Sequence, residues 1–341
     1  VPFGFAITTT CFDSFMKYNK LDKLVKQTID SIDFTSLEDL RRKALKIRTE
    51  IYNGTMSEDM QNEIKEYYSS LSTKYTDNEG NPQTYTDVAV RSSSTAEDLP
   101  DASFAGQQDT YLNVRGDAQL ISSVKSCFSS LYTDRAIVYR HTIKYEDKIS
   151  ISVGIQKMVR SDIGSSGVAF SIDTESGFKD AILINASYGL GELVVQGSVK
   201  PDEYILFKPT LNKGYDAIID KKLGTKTDKM VYGTNAEQKT KIVHVHSDLQ
   251  NKFCLTDKEI VKLGKWVCII EEYYSERAGK HTPMDVEWAL DGDDGKLYIV
   301  QARPETVVSK KSTTKIKEYK IKPHTTKPIC TGTAVGDLVS S

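Results

Sequence analysis

An arginine followed by a run of small and hydroxyl-bearing residues is the first indication of chemistry in this sequence. Arg91 directly follows the strand-like run 87–90. The segment from Ser103 to Thr110, which includes Ala105 and Gly106, leads into a second strand-like run, 110–114. A fixed guanidinium and backbone N–H groups that no bulky side chain covers hold an anionic oxygen well. The stretch is therefore typical of a phosphate-binding loop, although a surface hairpin with a long loop fits the same residue types.

A second group of polar residues lies in two strand-like runs near the end of the chain, 284–290 and 296–303, separated by the turn-forming run 291–295. Strand side chains alternate between faces, so few registers bury one face consistently. A wholly apolar face results from pairing Val286 with Ala302, Trp288 with Val300, and Leu290 with Tyr298. The same register predicts these pairs on the other face: Asp285 with Arg303, Glu287 with Gln301, and Ala289 with Ile299.

These polar pairs suggest a metal and phosphate site. Magnesium prefers hard oxygen ligands and usually takes one or two from the protein, with the rest from phosphates and water. Glu287 and Gln301 can each supply an oxygen, and Arg303 can stabilise a phosphate during transfer. The alternative is a surface hairpin with an Asp285–Arg303 ion pair, which would stabilise the fold by ~0.5 kcal/mol or less.

Both stretches resemble one known family. The segment from Arg91 to Val114, RSSSTAEDLPDASFAGQQDTYLNV, is similar to the signature of the dikinase ATP-grasp domain, with Ser94 where the family usually has alanine. This domain occurs in phosphoenolpyruvate synthase, pyruvate phosphate dikinase and rifampicin phosphotransferase. The runs MDVEWAL and IVQARPET resemble the second half of the same ATP site.

The resemblance implies a role for each candidate residue. Magnesium would be held by Glu287 and Gln301, with Asp285 a weaker candidate. Phosphate would be contacted by Arg91 and Arg303, the two expected catalytic residues. The remaining nucleotide contacts would come from Gly106 and Thr110 in the phosphate loop and from Gln156, as a donor to the base or sugar, on the segment that joins the two lobes.

Two further segments, from Ser165 to Phe178 and from Tyr188 to Tyr204, resemble phosphoenolpyruvate synthase in particular. That enzyme converts ATP, pyruvate and water to phosphoenolpyruvate, AMP and phosphate through a histidine on a swivelling domain. None of the five histidines here has the glycine- and hydroxyl-rich setting of the family's phosphohistidine. The acceptor histidine and the pyruvate-binding domain are therefore expected beyond residue 341, and a segment with an ATP-binding lysine is expected upstream.

Two other functions remain open from the sequence. One is the ATP-binding domain of a different dikinase, such as rifampicin phosphotransferase or pyruvate phosphate dikinase. The other is a regulatory module that binds ATP without transferring its phosphate. The appearance of AMP from ATP and pyruvate would exclude the regulatory module.

The helices and strands that must position these residues indicate an α+β fold. The resemblance implies the ATP-grasp form of this fold, with two lobes and a nucleotide cleft between them. Apolar spacing predicts helices over 21–32, 37–52, 59–71, 118–132, 134–144 and 258–274. Strands are predicted over 6–10, 87–90, 110–114, 151–159, 167–172, 181–187 and 203–208, with weaker runs near Ala217 and Ile242. The pattern changes near Met158. We therefore predict a helix-rich lobe over 1–158, a sheet-rich lobe over 159–308 and a linker over 309–341.

Composition sets the broad class. The chain has 341 residues, 39% hydrophobic and 27% charged, with a formal net charge of −2, so no general affinity for nucleic acid or acidic membranes is expected. No apolar run approaches the roughly eighteen residues that span a bilayer. The five cysteines lack C-x-x-C spacing. These features predict a cytoplasmic protein with reduced thiols.

Overall fold

The computed structural model describes residues 1–76, 80–95, 98–99, 102–103, 110–144, 149–235 and 238–305. These residues form helices and sheets in an α+β arrangement, as predicted. The chain divides into two compact units, one from Pro2 to Met158 and the other from Val159 onward. The predicted linker over 309–341 lies outside the described residues.

The helices of the described residues are α1 (Thr9–Tyr18), α2 (Leu21–Asp30), α3 (Leu37–Asn53), α4 (Glu58–Ser72), α5 (Asp117–Ser130), α6 (Asp134–Thr142), α7 (Glu192–Val195), α8 (Lys208–Asn212), α9 (Ser247–Gln250) and α10 (Asp257–Ala278). The strands are β1 (Gly4–Ile7), β2 (Val88–Ser94), β3 (Asp98–Leu99), β4 (Ala102–Ser103), β5 (Thr110–Val114), β6 (Ile151–Lys157), β7 (Ser165–Phe170), β8 (Ala181–Tyr188), β9 (Asp202–Phe207), β10 (Ile218–Lys222), β11 (Asp228–Asn235), β12 (Gln238–His244), β13 (Met284–Leu290) and β14 (Leu297–Pro304).

In the first unit, a sheet with the order β1-β6-β2-β5 carries its helices on one face. All of its neighbouring strands are antiparallel. Strand β6 shows why the sheet has two different faces: Ile151, Val153 and Ile155 are buried, whereas the residues between them are half-exposed. The buried side chains join the core that includes Phe15 of α1 and Phe128 of α5. The other face of the sheet is thereby left for polar side chains.

Some local elements differ from the prediction. The strand predicted over 6–10 ends at Ile7, and Thr9 begins helix α1, because Phe12 of that helix packs in the core and tertiary burial overrides the β-propensity of a threonine run. Helix α5 begins at Asp117, one residue before the predicted 118–132 range, after Gly116 at a φ of 86°. Strand β11 was not predicted at all.

In the second unit, six of the described strands form a sheet with the order β10-β9-β8-β7-β13-β14, and β11 pairs with β12 in a separate two-stranded sheet. Helix α10 packs on it and buries Ile260, Leu263 and Val267. Thr256 caps the helix in a complete capping box: its backbone N–H donates to Glu259 Oε2 at 2.7 Å, and its hydroxyl oxygen accepts from the Glu259 backbone N–H at 3.4 Å. Strand β13 pairs with β7 as well as with β14, and it is therefore an interior strand of the sheet. The two strands β13 and β14 are not an isolated surface hairpin.

The predicted register of β13 and β14 is confirmed at one end and wrong at the other. The pairs observed as predicted are Asp285 with Arg303, Val286 with Ala302, and Glu287 with Gln301. A bulge then changes the partners, and the pairs observed are Trp288 with Ile299, Ala289 with Tyr298, and Leu290 with Leu297.

The extra residue of this bulge has a simple physical advantage. It brings Ile299 and Leu297 to the core, where the predicted register would have put Val300 and Tyr298. Tyr298 instead lies on the other side, where its hydroxyl donates to Asp294 Oδ2 at 2.7 Å. A phenol hydroxyl therefore avoids burial without a partner.

None of the helices in the described part of the chain is both long and apolar enough to cross a membrane.

Candidate functional site

The sheet of the first unit brings three predicted site residues onto one face. Arg91 of β2 is directly opposite Thr110 of β5 and, on its other side, opposite Gly154 of β6. Gln156 follows Gly154 by two residues and is opposite Ala89. Because side chains alternate along a strand and paired residues share a face, Arg91, Thr110 and Gln156 all lie on the face away from the helical core.

Small residues line the sheet between the guanidinium and the amide. Gln156 has Ala89 on one side and Gly4 on the other, and the partner of Arg91 on β6 is Gly154. A diagonal pair such as Arg91 and Gln156 is separated by about 7–8 Å at the backbone. On this face of the sheet, the residues between the cationic group and the amide group are therefore small.

Gly106 lies outside the described residues, as does most of the signature between Thr95 and Thr110. The described parts of that signature are the short pair β3 and β4, in which Asp98 is opposite Ser103 and Leu99 is opposite Ala102.

The second unit brings the other four predicted residues together on β13 and β14. Glu287 is directly opposite Gln301, and Asp285 is directly opposite Arg303. Arg303 Nε lies 3.5 Å from Asp285 Oδ2, and the Arg303 side chain is 46% exposed whereas that of Asp285 is 21% exposed. These side chains lie on the sheet face opposite Val286 and Trp288, which belong to the α10 core.

Asp285 is in an unfavourable environment for an isolated carboxylate. Its Oδ1 atom is buried and has no hydrogen-bond partner among the described residues. Burial raises the pKa of the Asp285 carboxyl above its ordinary value, and the negative charges of Glu305 and Glu287 raise it too, against the opposing effect of Arg303. A cation near this carboxylate would compensate the excess negative charge.

The donor set fits magnesium. No group of three or more His, Cys, Asp or Glu side chains in the described part of the chain is arranged to hold a metal ion. Magnesium in nucleotide sites does not need such a group, because it keeps waters and substrate phosphates as ligands and takes only one or two protein oxygens. The opposed oxygens of Glu287 and Gln301, beside the unpartnered Oδ1 of Asp285, meet that requirement.

Comparison with known proteins identifies a family of ATP-binding domains. Residues 1–323 match the family model described as "Pyruvate phosphate dikinase, AMP/ATP-binding domain". The chain belongs to this family. The resemblance to dikinases that the motifs around Arg91 and Glu287 indicated is therefore confirmed.

The curated relatives of this dikinase-family chain are named phosphoenolpyruvate synthase. The chain is 51% identical to the protein of that name from Aquifex aeolicus over 347 residues, which cover 100% of this chain and 40% of the relative. It is 48% identical to the Synechocystis protein, with 99% and 41% covered, and 44% identical to the Escherichia coli protein, with 91% and 38% covered. The chain thus spans about two fifths of the length of these relatives.

Two polar residues of this dikinase-family chain escaped the sequence reasoning. Asn185 on β8 lies in the same cross-strand row as Glu287, with Val168 of β7 between them, and Ser187 follows it on the same face. The Asn185 Oδ1 and Ser187 Oγ atoms are buried without a hydrogen-bond partner among the described residues. An Asn and a Ser at alternate positions of the otherwise apolar run AILINAS were the available signal.

The predicted residues of this dikinase-family chain form two groups. One consists of Arg91, Thr110 and Gln156 in the unit from Pro2 to Met158, and the other of the β13 and β14 residues in the unit from Val159 onward. Each group is assembled by strand pairing within its own unit.

Proposed function

We propose that this chain is the Mg-ATP-binding part of a phosphoenolpyruvate synthase. In the complete protein it would transfer phosphoryl from ATP to a histidine on a separate domain. The overall reaction would convert ATP, pyruvate and water to phosphoenolpyruvate, AMP and phosphate. The names of the relatives and the segments from Ser165 to Phe178 and from Tyr188 to Tyr204 support this choice among dikinases.

One observation carries the proposal. Glu287 and Gln301 are directly opposite each other, next to a buried carboxylate oxygen of Asp285 that lacks a partner among the described residues. A structural hairpin gains nothing from such a cluster, because an unsatisfied buried oxygen is destabilising. A bound cation that also neutralises triphosphate oxygens would compensate the negative charge of this cluster and explain why these residues lie together.

The other predicted residues would bind the phosphates and the base or sugar of ATP. Arg91 and Arg303 would hold phosphate oxygens through charge-assisted hydrogen bonds, which become stronger as charge develops during transfer. Thr110, opposite Arg91, would donate its hydroxyl to the same phosphate, and Gly106 would leave backbone N–H groups accessible to it. Gln156 would bind the base or sugar over the surface of small residues beside it. Magnesium, when bound, would neutralise negative charge on the phosphates.

The resemblance also supports an ATP-grasp architecture, with residues 1–158 and 159–308 as its two lobes and the nucleotide between them. Such a site would receive the phosphohistidine domain of the same full-length protein, and phosphoryl transfer would depend mainly on positioning and charge stabilisation.

Substitution of Glu287 tests the proposal. In the complete protein, Glu287→Gln should lower the rate of AMP formation from ATP and pyruvate by about 100-fold or more, because the amide replaces a charged metal ligand with a neutral one. The matched control is Glu203→Gln, the same change on the same sheet face, two strands beyond β7, where Glu203 is 3.5 Å from Lys222. The control should leave the rate unchanged.

The assay also separates the alternatives. Unchanged AMP formation by the Glu287→Gln variant would refute the assignment of the site. ATP binding without any AMP formation by the wild-type protein would favour a regulatory module. A requirement for inorganic phosphate, or activity toward a drug instead of pyruvate, would favour another dikinase.

A further inference from the structure

A buried acid on α10 is connected to the strand that carries Glu287. Glu271 is 9% exposed, and its Oε2 atom accepts a hydrogen bond from Lys208 Nζ at 2.6 Å. Its Oε1 atom accepts from Ser171 Oγ at 2.8 Å and lies 3.2 Å from His281 Nε2. Lys208 is 8% exposed and Ser171 is fully buried, so this is a desolvated group of charged and polar side chains.

Ser171 continues the connection to β13. Its Oγ atom accepts from the backbone N–H of Met284 at 2.7 Å, and its own backbone N–H donates to the Met284 carbonyl at 2.9 Å. Met284 is the first residue of β13, three positions before Glu287. One hydroxyl thus joins the carboxylate of Glu271 to the beginning of the strand that presents the proposed metal ligand.

The charge of Glu271 determines how this hydroxyl is oriented. A carboxylate only accepts hydrogen bonds, and a serine hydroxyl has one O–H to donate and lone pairs with which to accept. Because Ser171 must donate to Glu271, its lone pairs remain available to the Met284 N–H. His281 belongs to the segment between α10 and β13, and its Nε2 atom contacts the same Glu271 oxygen, Oε1, that accepts from Ser171.

Stability alone is a poor reason for this arrangement. A buried ion pair such as Glu271–Lys208 is often no more stabilising than apolar residues of the same size, because both charges must be desolvated. What such a pair can provide is a single well-defined geometry. Magnesium requires its ligands at about 2.0–2.1 Å in near-octahedral geometry, so an error of about 0.5 Å in a ligand position matters.

We infer that Glu271, acting through Ser171, is a positioning residue for the metal-ligand strand. It fixes the start of β13 and thereby the place of Glu287, about 10 Å along the strand. The inference rests on the proposed function, since it concerns the geometry of the same magnesium site.

The test uses Ser171→Ala and Glu271→Gln in the complete protein. Ser171→Ala removes the link between the carboxylate and Met284, and Glu271→Gln keeps the size of the side chain but removes the charge that orients the hydroxyl. The magnesium concentration that gives half-maximal AMP formation should rise about tenfold in both variants. The Km for pyruvate should not change.

Tyr204→Phe is the matched control. The Tyr204 hydroxyl is also a buried hydrogen-bond partner in this unit, 3.2 Å from Asp202 Oδ2, but it lies on β9 and does not contact β13. Its loss should lower the melting temperature about as much as Ser171→Ala does, with no change in the magnesium requirement.

The outcomes are distinct. A wild-type magnesium requirement in Ser171→Ala or, if that variant does not fold, in Glu271→Gln would overturn the inference. An increase of the same size in Tyr204→Phe would overturn it too, because the effect would then be general destabilisation. If Glu287→Gln itself retains full activity, the proposed function fails, and that result is read independently of the Ser171 variants.

Discussion

Replacing Lys226 by Met should strongly destabilise the unit that carries Glu287. Lys226 and Asp202 have side chains that are 0% exposed and form an ion pair. The Lys226 ammonium also donates to the carbonyls of Gly224 at 3.0 Å and Gln250 at 3.3 Å. Methionine keeps most of the side-chain volume, so the substitution mainly removes the charge and leaves the Asp202 carboxylate buried without its counterion.

The structure sets the size of the effect. Loss of one partner of a buried ion pair costs about 3–5 kcal/mol. Asp202 would keep three neutral donors, the N–H groups of Gly224 and Cys254, both at 2.8 Å, and the Tyr204 hydroxyl at 3.2 Å. Because these still stabilise the carboxylate, we expect a loss near the lower limit, about 3 kcal/mol. For a unit of this size that corresponds to a melting temperature roughly 6–12 °C lower.

Tryptophan fluorescence is the appropriate assay. Both tryptophans, Trp266 and Trp288, lie in the unit from Val159 onward, so their emission during urea unfolding reports on that unit. The control is Lys222→Met, because Lys222 is 63% exposed and its 3.5 Å ion pair with Glu203 should contribute less than about 0.5 kcal/mol.

A double variant, Lys226→Met with Asp202→Asn, should recover part of the loss, since no unpaired charge remains buried. The reasoning would be refuted if Lys226→Met unfolds within about 1 kcal/mol of the wild type, or if the double variant is no more stable than the single one.

Two further predictions concern other parts of the chain. Gly167→Ala should destabilise the second unit by about 3 kcal/mol, measured by the same fluorescence assay, because its Cβ would lie 1.9 Å from the Asn185 carbonyl oxygen and would push β7 away from β8; wild-type stability would contradict that clash. The Asp39 carboxyl, hydrogen-bonded by Lys43, has its pKa lowered from 3.8 to about 2. Its stabilisation of the fold is therefore present above pH 3.8 and lost as the pH falls through about 2. A carbon NMR titration of Asp39 should show this midpoint, and Lys43→Met should raise it toward 3.8.

Strand pairing near the candidate site could be predicted because it depends on a short-range pattern. The alternation of apolar and polar residues around Glu287 allows only one register that buries Val286 with Ala302, and the structure has it. The same reasoning failed beyond Glu287. A bulge adds a residue to one strand, and its benefit, the removal of the Tyr298 hydroxyl from the core, involves contacts that a two-strand pattern does not contain.

Long-range packing accounts for the other failures. Helix α1 begins in a threonine run that favours a strand, and it is helical because Phe12 and Phe15 reach the core of the first unit. Asn185 and Ser187 become candidate site residues only because β7 pairs with both β8 and β13 and so places them on the same sheet face as Glu287. The contact of Glu271 with Ser171 joins residues 100 positions apart, a separation at which sequence spacing carries no information.

The sequence by itself determined the family, the α+β class and the chemical types at the candidate site, because these follow from motif composition and local periodicity. Only the tertiary structure decided that Arg91, Thr110 and Gln156 share one face of a sheet and that β13 is an interior strand anchored through Ser171. The physical reason is that side-chain periodicity is a local property, whereas the sharing of a face and the satisfaction of buried polar atoms depend on which distant strands and helices pack together.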